Sequence, residues 1–125
     1  MNTLLVAAGG GIGAALRYLL GGLITSRLGP DFPWGTFIVN VSGCLLIGVV
    51  LGLVERGALP AEARLFLAVG VLGGYTTFST FGYETFRLLE GGELLQAAGN
   101  AFGQLALGLV GVYLGLVAAR LLGGA

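Results

Sequence analysis

Residues 65–83 read LFLAVGVLGGYTTFSTFGY, an uncharged run that is long enough to cross a bilayer but poorly suited to one continuous helix. Gly73 and Gly74 are adjacent, Thr76 and Thr77 are β-branched, and both residue types weaken an α-helix. Inside a bilayer, a broken backbone persists only where protein or a wet cavity covers it. The run therefore predicts a membrane span that is unwound from Gly73 to Thr77, where carbonyl groups and half-helix ends face an ion.

Three further stretches are apolar enough to span a membrane. Residues 32–54 and 94–119 carry no charge, and residues 1–26 are interrupted only by Arg17. Because about 20 apolar residues cross the hydrocarbon core, we predict an all-α integral membrane protein with four transmembrane helices, the third of them broken. The whole chain, 1–125, forms one membrane domain in this prediction, with spans at about 2–27, 34–54, 62–89 and 94–121.

The composition supports a membrane protein and argues against several functions. Hydrophobic residues make up 56% of the chain, charged residues only 10%, and the mean hydropathy is +0.96, whereas soluble domains are about a quarter charged. The six basic residues are all arginines, and there is no histidine. No basic run predicts nucleic-acid binding, and no nucleophile lies beside a base. We therefore expect no enzyme activity, and we interpret the single Cys44 as a small buried hydrophobe.

Glycine is unusually frequent, at 25 residues. Pairs of glycines four residues apart let membrane helices approach closely, so they predict tight packing within or between subunits. The pairs are Gly9 with Gly13, Gly48 with Gly52, Gly99 with Gly103, and Gly111 with Gly115.

The arginines other than Arg17 do not choose an orientation. With four spans, Arg56, Arg64 and Arg120 lie on one side of the membrane, and Arg27 and Arg87 lie on the other. Three arginines against two is almost no bias under the positive-inside rule. Either this count is too coarse, or copies of the chain insert in both orientations and pair antiparallel.

A charged side chain and a side-chain amide stand out in the first two predicted spans. Arg17 lies deep in the first span, where a charge is costly and marks a functional site unless the side chain snorkels to an interface. At a vestibule it would attract anions. Asn40 lies in the second span, and its amide either donates to an anion or holds two helices together.

The third span combines hydroxyl groups with a pair of aromatic rings. Phe78 and Phe81 are three residues apart and share a helix face, which is usually a packing arrangement. The positive edge of a phenyl ring can also hold a small anion. Glu84 follows near the end of the span and either lines a pore mouth or pairs with Arg87, and we favour the pair. The hydroxyl groups belong to Thr76, Thr77, Ser79 and Thr80.

Three motifs together make the chain similar to a known family. They are GGIGAALRY at 10–18, GTFIVNVSG at 35–43 and GGYTTFSTF at 73–81. The chain resembles the Fluc family of fluoride channels, also written CrcB, over nearly its whole length. The resemblance implies an antiparallel, dual-topology homodimer in the cytoplasmic membrane, with two pores and a central structural sodium ion. It also implies passive fluoride export that confers fluoride resistance.

The resemblance also implies roles for individual residues. Asn40 resembles the asparagine that donates to fluoride, and Arg17 resembles the vestibule arginine. The backbone carbonyls of Gly73 and Thr76 resemble the ligands of the sodium ion. The remaining anion-path residues that it implies are Tyr75, Phe78, Ser79, Thr80, Phe81 and Glu84.

The fourth span departs from the family pattern, in which this helix supplies hydroxyl groups to the anion path. No Ser or Thr follows Thr85, and the polar side chains of this span are Asn100, Gln104 and Tyr113. Either these replace the hydroxyls, or the path depends more on the third span. The alternative function is a small proton-coupled exporter, which needs a carboxylate inside the membrane; only Glu84, toward a helix end, could supply one.

Overall fold

The computed structural model describes residues 1–123, and over that range the chain is helical without strands. Four helical stretches are long and apolar enough to cross a membrane: α1, α2, the third span Ala61–Glu90, and α6. The prediction of an all-α protein with four such helices is therefore confirmed. The elements are α1 (Asn2–Leu28), α2 (Trp34–Glu55), α3 (Ala61–Ala63), a π-helical segment (Arg64–Leu72), α4 (Gly73–Tyr75), α5 (Phe78–Glu90) and α6 (Leu94–Leu122).

The connections between the spans are short and turn at glycines. Gly29, Gly57 and Gly92 have φ angles of 90°, 75° and 77°, a region that side chains with a Cβ rarely occupy. At the end of α1, the Gly29 amide still donates to the Thr25 carbonyl at 2.8 Å. The chain therefore reverses direction within a few residues between one span and the next, which places neighbouring spans antiparallel.

Buried glycines allow the helices to pack almost backbone to backbone. A Cβ added to Gly48 would collide with the Val112 carbonyl oxygen of α6, and one added to Gly115 would collide with the Leu45 carbonyl oxygen of α2. Three of the four predicted glycine pairs are buried in this way, whereas Gly99 has nothing within 4 Å of an added Cβ. The close contacts are thus between α2 and α6 and between α1 and the third span.

The third span changes its helical winding twice. Its first half is π-helical from Arg64 to Leu72, a form that is wider than an α-helix and rare beyond one turn. The span is then extended at Thr76 and Thr77, with ψ of 157° and 118°, before α5 begins. The break thus lies near the middle of the third span.

The break is shorter than predicted. Gly73 and Gly74 remain helical, so the prediction of an unwound segment from Gly73 to Thr77 is wrong for its first three residues. Helical bonding continues because the Thr76 amide still donates to the Leu72 carbonyl at 3.0 Å. It stops at Thr77, whose amide has a side-chain partner instead.

Candidate functional site

Asn40 holds the break in the third span. Its Nδ2 donates to the Thr77 carbonyl oxygen at 3.0 Å, and its Oδ1 accepts from the Thr77 amide at 2.8 Å. One side-chain amide therefore satisfies both polar groups of an unwound peptide, which would otherwise be costly at membrane depth. The Thr77 hydroxyl then caps α5 by accepting from the Thr80 amide at 3.3 Å.

Arg17 binds the opposite side of the break. Its Nε donates to the Gly74 carbonyl oxygen at 3.1 Å, and the side chain is half-buried. A cation is favourable there because the carbonyl end of a helix carries partial negative charge. Arg17 also lines a cavity of about 190 Å³ together with Thr36 and Thr80.

Two backbone carbonyls at the break lose their usual helical partners. In a continuous helix the Gly73 carbonyl accepts from the amide of residue 77, and the Thr76 carbonyl accepts from that of residue 80. Here the Thr77 amide donates to Asn40 and the Thr80 amide donates to the Thr77 hydroxyl. Both carbonyl oxygens are thereby left with lone pairs that a cation can use.

A chain of side-chain amides connects α2 with α6 and ends on α5. Asn40 Nδ2 donates to Gln104 Oε1 at 2.8 Å, and Gln104 Nε2 donates to Asn100 Oδ1 at 2.9 Å. Asn100 Nδ2 donates to Thr85 Oγ1 at 2.8 Å, and the Thr85 hydroxyl donates to the Phe81 carbonyl oxygen, also at 2.8 Å. We call Asn40, Gln104, Asn100 and Thr85 the amide relay. It joins the break to the backbone of Phe81.

A cavity of about 390 Å³ lies against the break and the relay. The rings of Phe78 and Phe81 border it, with centroids 5.7 Å apart and planes tilted by 42°. Phe78 is 84% exposed in the single chain, so the cavity opens to the surface of the bundle. Its polar lining comes from Asn40, Gln104, Thr76 and Thr77. The cavity thus combines two aromatic rings with amide and hydroxyl groups, a combination suited to a small anion.

The sequence model of a family described as CrcB-like protein, Camphor Resistance (CrcB), matches residues 4–116. The chain belongs to the CrcB family. The resemblance drawn from the three motifs is therefore confirmed.

Curated relatives in the CrcB family carry a more specific name. A protein of Thermus thermophilus named Fluoride-specific ion channel FluC is 58% identical, with 90% of each chain covered. A protein of the same name from Geobacter sulfurreducens is 49% identical, and the match covers 96% of this chain and 98% of that protein. One from Nitrobacter winogradskyi is 48% identical, and the match covers 95% of each chain. The relatives are ion channels by name and not enzymes, so the chain is a multi-pass membrane protein of a channel family and not an enzyme.

The structure brings together most residues that the CrcB resemblance implicates, but not all of them. Ser79 is exposed and lines neither cavity. Tyr75 is buried, and its hydroxyl lies 2.9 Å from Ser42 Oγ, so it tethers α4 to α2. In the fourth span, Asn100 and Gln104 join the relay, whereas Tyr113 is 63% exposed.

The expected pair between Glu84 and Arg87 is wrong. Arg87 instead bonds Glu90 at 3.1 Å, on an exposed part of α5. Glu84 is turned inward: its Oε1 is buried without a hydrogen-bond partner among the described residues, and Thr36 is the neighbour of its carboxyl group. Both acids lie three residues from Arg87, so spacing alone does not decide which of them pairs with it.

Sequence reasoning missed three contributors. Thr85 links the relay to Phe81. Thr36 lines the smaller cavity with Arg17 and neighbours the Glu84 carboxyl group, and Cys44 lines the larger cavity. The contact of Thr85 could have been predicted from the sequence, because a threonine four residues after Phe81 can donate to the Phe81 carbonyl within a helix. Cys44 and Thr36 had none, because their roles depend on which face of α2 meets the third span.

Proposed function

We propose that this chain is a fluoride-selective channel that lets fluoride leave the cell passively across the cytoplasmic membrane and so confers fluoride resistance. The observation that carries the proposal is the cavity at the break, where Phe78 and Phe81 lie beside the amides of Asn40 and Gln104. Phenyl edges and neutral N–H groups stabilise a small anion without binding it so tightly that it cannot leave. The FluC name of the relatives agrees with this site.

In the proposed path, Arg17 and Glu84 lie in the vestibules. Arg17 draws anions toward the second cavity, whose hydroxyl lining comes from Thr36, Thr77 and Thr80. The larger cavity lies on the other side of Thr77, which lines both cavities. Fluoride passes from hydroxyl donors to amide donors along this route.

We propose that the working unit is an antiparallel homodimer with two such paths. Gly73 is exposed and Thr76 is half-buried in the single chain, although both flank the break near the middle of the third span. Irregular backbone at that depth needs protein or a water-filled cavity to cover it. A second copy in the opposite orientation would cover the break and close the surface around Phe78. The near-equal arginine count on the two sides agrees with insertion in both orientations.

The carbonyls of Gly73 and Thr76 fit a structural sodium ion at the centre of this dimer. Their helical partners are diverted to side chains, and carbonyl oxygens are suitable ligands for a hard cation. Bound there, sodium would hold the two breaks together electrostatically. Replacing sodium with N-methylglucamine should lower the thermal unfolding midpoint of the purified protein, whereas an unchanged midpoint would argue against the ion.

Flux from liposomes tests the channel function. Protein-containing vesicles loaded with potassium fluoride should release fluoride rapidly when a potassium ionophore is added, and vesicles loaded with potassium chloride should not release chloride. Fluoride retention in vesicles that contain folded protein would overturn the proposal.

A proton-coupled exporter is the second candidate, because the Glu84 carboxyl has a buried oxygen without a hydrogen-bond partner in the described part of the chain. An exporter of this kind needs a carboxylate that binds and releases protons inside the membrane. It would acidify or alkalinise the vesicle lumen in step with transport. Fluoride flux that responds to voltage and carries no protons excludes this candidate.

A further inference from the structure

The short helix α4 joins the two carbonyl groups that fit a sodium ion. It consists of Gly73, Gly74 and Tyr75, so Tyr75 is its only residue with a side chain. Gly73 supplies the first carbonyl, and Thr76, directly after α4, supplies the second. The rotation of this turn about its axis decides where both oxygens lie, and Tyr75 is the only side chain of the turn that can fix it.

The ring of Tyr75 is packed against α2. Tyr75 is only 6% exposed and forms a buried cluster with Val39 and Leu72. A Cβ added to Gly43 would lie 3.3 Å from Tyr75 Cδ2, so a larger residue at position 43 would displace the ring. Tyr75 lines neither cavity, which separates it from the proposed anion path.

The hydrogen bond between Tyr75 and Ser42 has one possible direction. Ser42 Oγ donates its hydrogen to the Val39 carbonyl at 3.0 Å, and a hydroxyl group has only one hydrogen to give. The Tyr75 hydroxyl, 2.9 Å from Ser42 Oγ, is therefore the donor. Because a buried donor without an acceptor is costly, this bond fixes the far end of the Tyr75 side chain to α2.

Asn40 fixes the next peptide group from the same helix. The Thr77 amide donates to Asn40 Oδ1 at 2.8 Å. No peptide bond among the described residues is cis, and in a trans peptide the N–H and C=O groups point in opposite directions. The Thr76 carbonyl must therefore point away from Asn40. Thr76 thus lies between two residues that are each bonded to α2, one through Ser42 and the other through Asn40.

We infer that Tyr75 is a positioning residue for the sodium site. Its hydrogen bond to Ser42 keeps α4 in the rotation that brings the Gly73 and Thr76 carbonyls to the ion. Without this bond the turn is freer to rotate, since two of its three residues are glycines. The ion must then order its ligands as it binds, which weakens binding. This role rests on the sodium ion proposed above.

One labelled peptide bond reports on this site. Thr76 and Thr77 are the only consecutive threonines in the chain, so protein labelled with ¹³C′-threonine and ¹⁵N-threonine gives a single HNCO signal. Adding sodium chloride to protein kept in N-methylglucamine chloride should shift the ¹³C′ frequency of the Thr76 carbonyl. Tyr75→Phe removes only the hydroxyl group. It should need at least about threefold more sodium for half of the shift, the change expected for one lost neutral hydrogen bond.

Three further variants show whether the effect belongs to this hydrogen bond. Tyr83→Phe is the matched control, since Tyr83 is 67% exposed, and it should keep the wild-type sodium titration. Ser42→Ala removes the acceptor and should also raise the sodium requirement. The double variant of Tyr75→Phe and Ser42→Ala should be no worse than the more affected single variant, because both changes remove the same bond. Additive effects would mean that the two residues act independently, which overturns the inference.

Thermal unfolding separates positioning from a purely structural role. A structural role would lower the unfolding midpoint of Tyr75→Phe by the same amount in sodium and in N-methylglucamine. The positioning role predicts a larger loss in sodium, because the variant gains less from the ion. Equal losses overturn the inference. So does failure of both Tyr75→Phe and Ser42→Ala to fold, because the bond would then serve folding itself.

The outcomes also separate this role from the function proposed above. If the wild-type HNCO signal does not respond to sodium, the sodium ion and the role of Tyr75 both fail, while fluoride efflux still decides the channel function. If the wild type responds and folded Tyr75→Phe responds at the same sodium concentrations, the ion stands and the role of Tyr75 is refuted.

Discussion

Adding one methyl group at Gly13 should disturb both the stability and the vestibule of this protein. Gly13 is buried where α1 crosses the third span, just before the break. A Cβ there would collide with the Val71 carbonyl oxygen and lie 2.8 Å from the Tyr75 nitrogen. Both obstacles are backbone atoms, so no side chain can rotate away and α1 itself must retreat.

The size of the effect follows from these distances. Restoring ordinary contact with the Tyr75 nitrogen alone requires α1 to move away by at least about 0.6 Å. Arg17, one turn further along α1, now donates to the Gly74 carbonyl over 3.1 Å. The same movement lengthens that bond to about 3.7 Å, which is beyond hydrogen-bond range. Overpacking of this kind costs about 1–3 kcal/mol.

Thermal unfolding of the purified protein and fluoride efflux from liposomes measure the two effects. Gly13→Ala should unfold at a lower temperature and conduct more slowly than wild type. Gly11→Ala is the matched control on the same helix, since an added Cβ there meets nothing within 4 Å. Both changes raise helix propensity equally, so the difference between them isolates the collision. Equal stability and equal flux for the two variants would refute the packing described here.

Three further predictions concern the larger cavity. Cys44 is the only cysteine and lines this cavity. A bulky methanethiosulfonate reagent should therefore slow fluoride efflux in wild type but not in Cys44→Ser, and equal block of both proteins would contradict this. Asn40→Leu should leave three polar groups unpaired: the Thr77 amide, the Thr77 carbonyl and Gln104 Oε1. At about 1 kcal/mol for each group, the free energy of unfolding should fall by about 3 kcal/mol, and wild-type thermal stability would contradict this. Phe81→Ile should reduce flux without dispersing the proposed dimer in size-exclusion chromatography, and unchanged flux would return the ring to a packing role.

Much of the site was accessible from sequence because its members carry strong local signals. Asn40 is a polar residue in an otherwise apolar run, and two phenylalanines three apart must share a helix face. The diglycine and dithreonine located the break to within a few residues. Its length was not accessible, because it depends on where the Asn40 side chain meets the backbone of Thr77.

The partners of the polar groups could not be read in the same way. Asn40 and Gln104 are 64 residues apart and bond at 2.8 Å only because α2 crosses α6 at buried glycines. Glu84 faces inward and Glu90 pairs with Arg87 because of the rotation of α5 after the break. The π-helical winding before the break also had no signature in the residues themselves.

Span number and break position are local properties, since length, apolarity and backbone propensity act over a few adjacent residues. These followed from the amino-acid order alone. Which hydrogen of which amide remains free is a property of helix crossings, because a donor is used up only when another span brings it an acceptor. Tertiary structure therefore decided that Asn40 closes the break and uses both of its N–H hydrogens, one on the Thr77 carbonyl and one on Gln104.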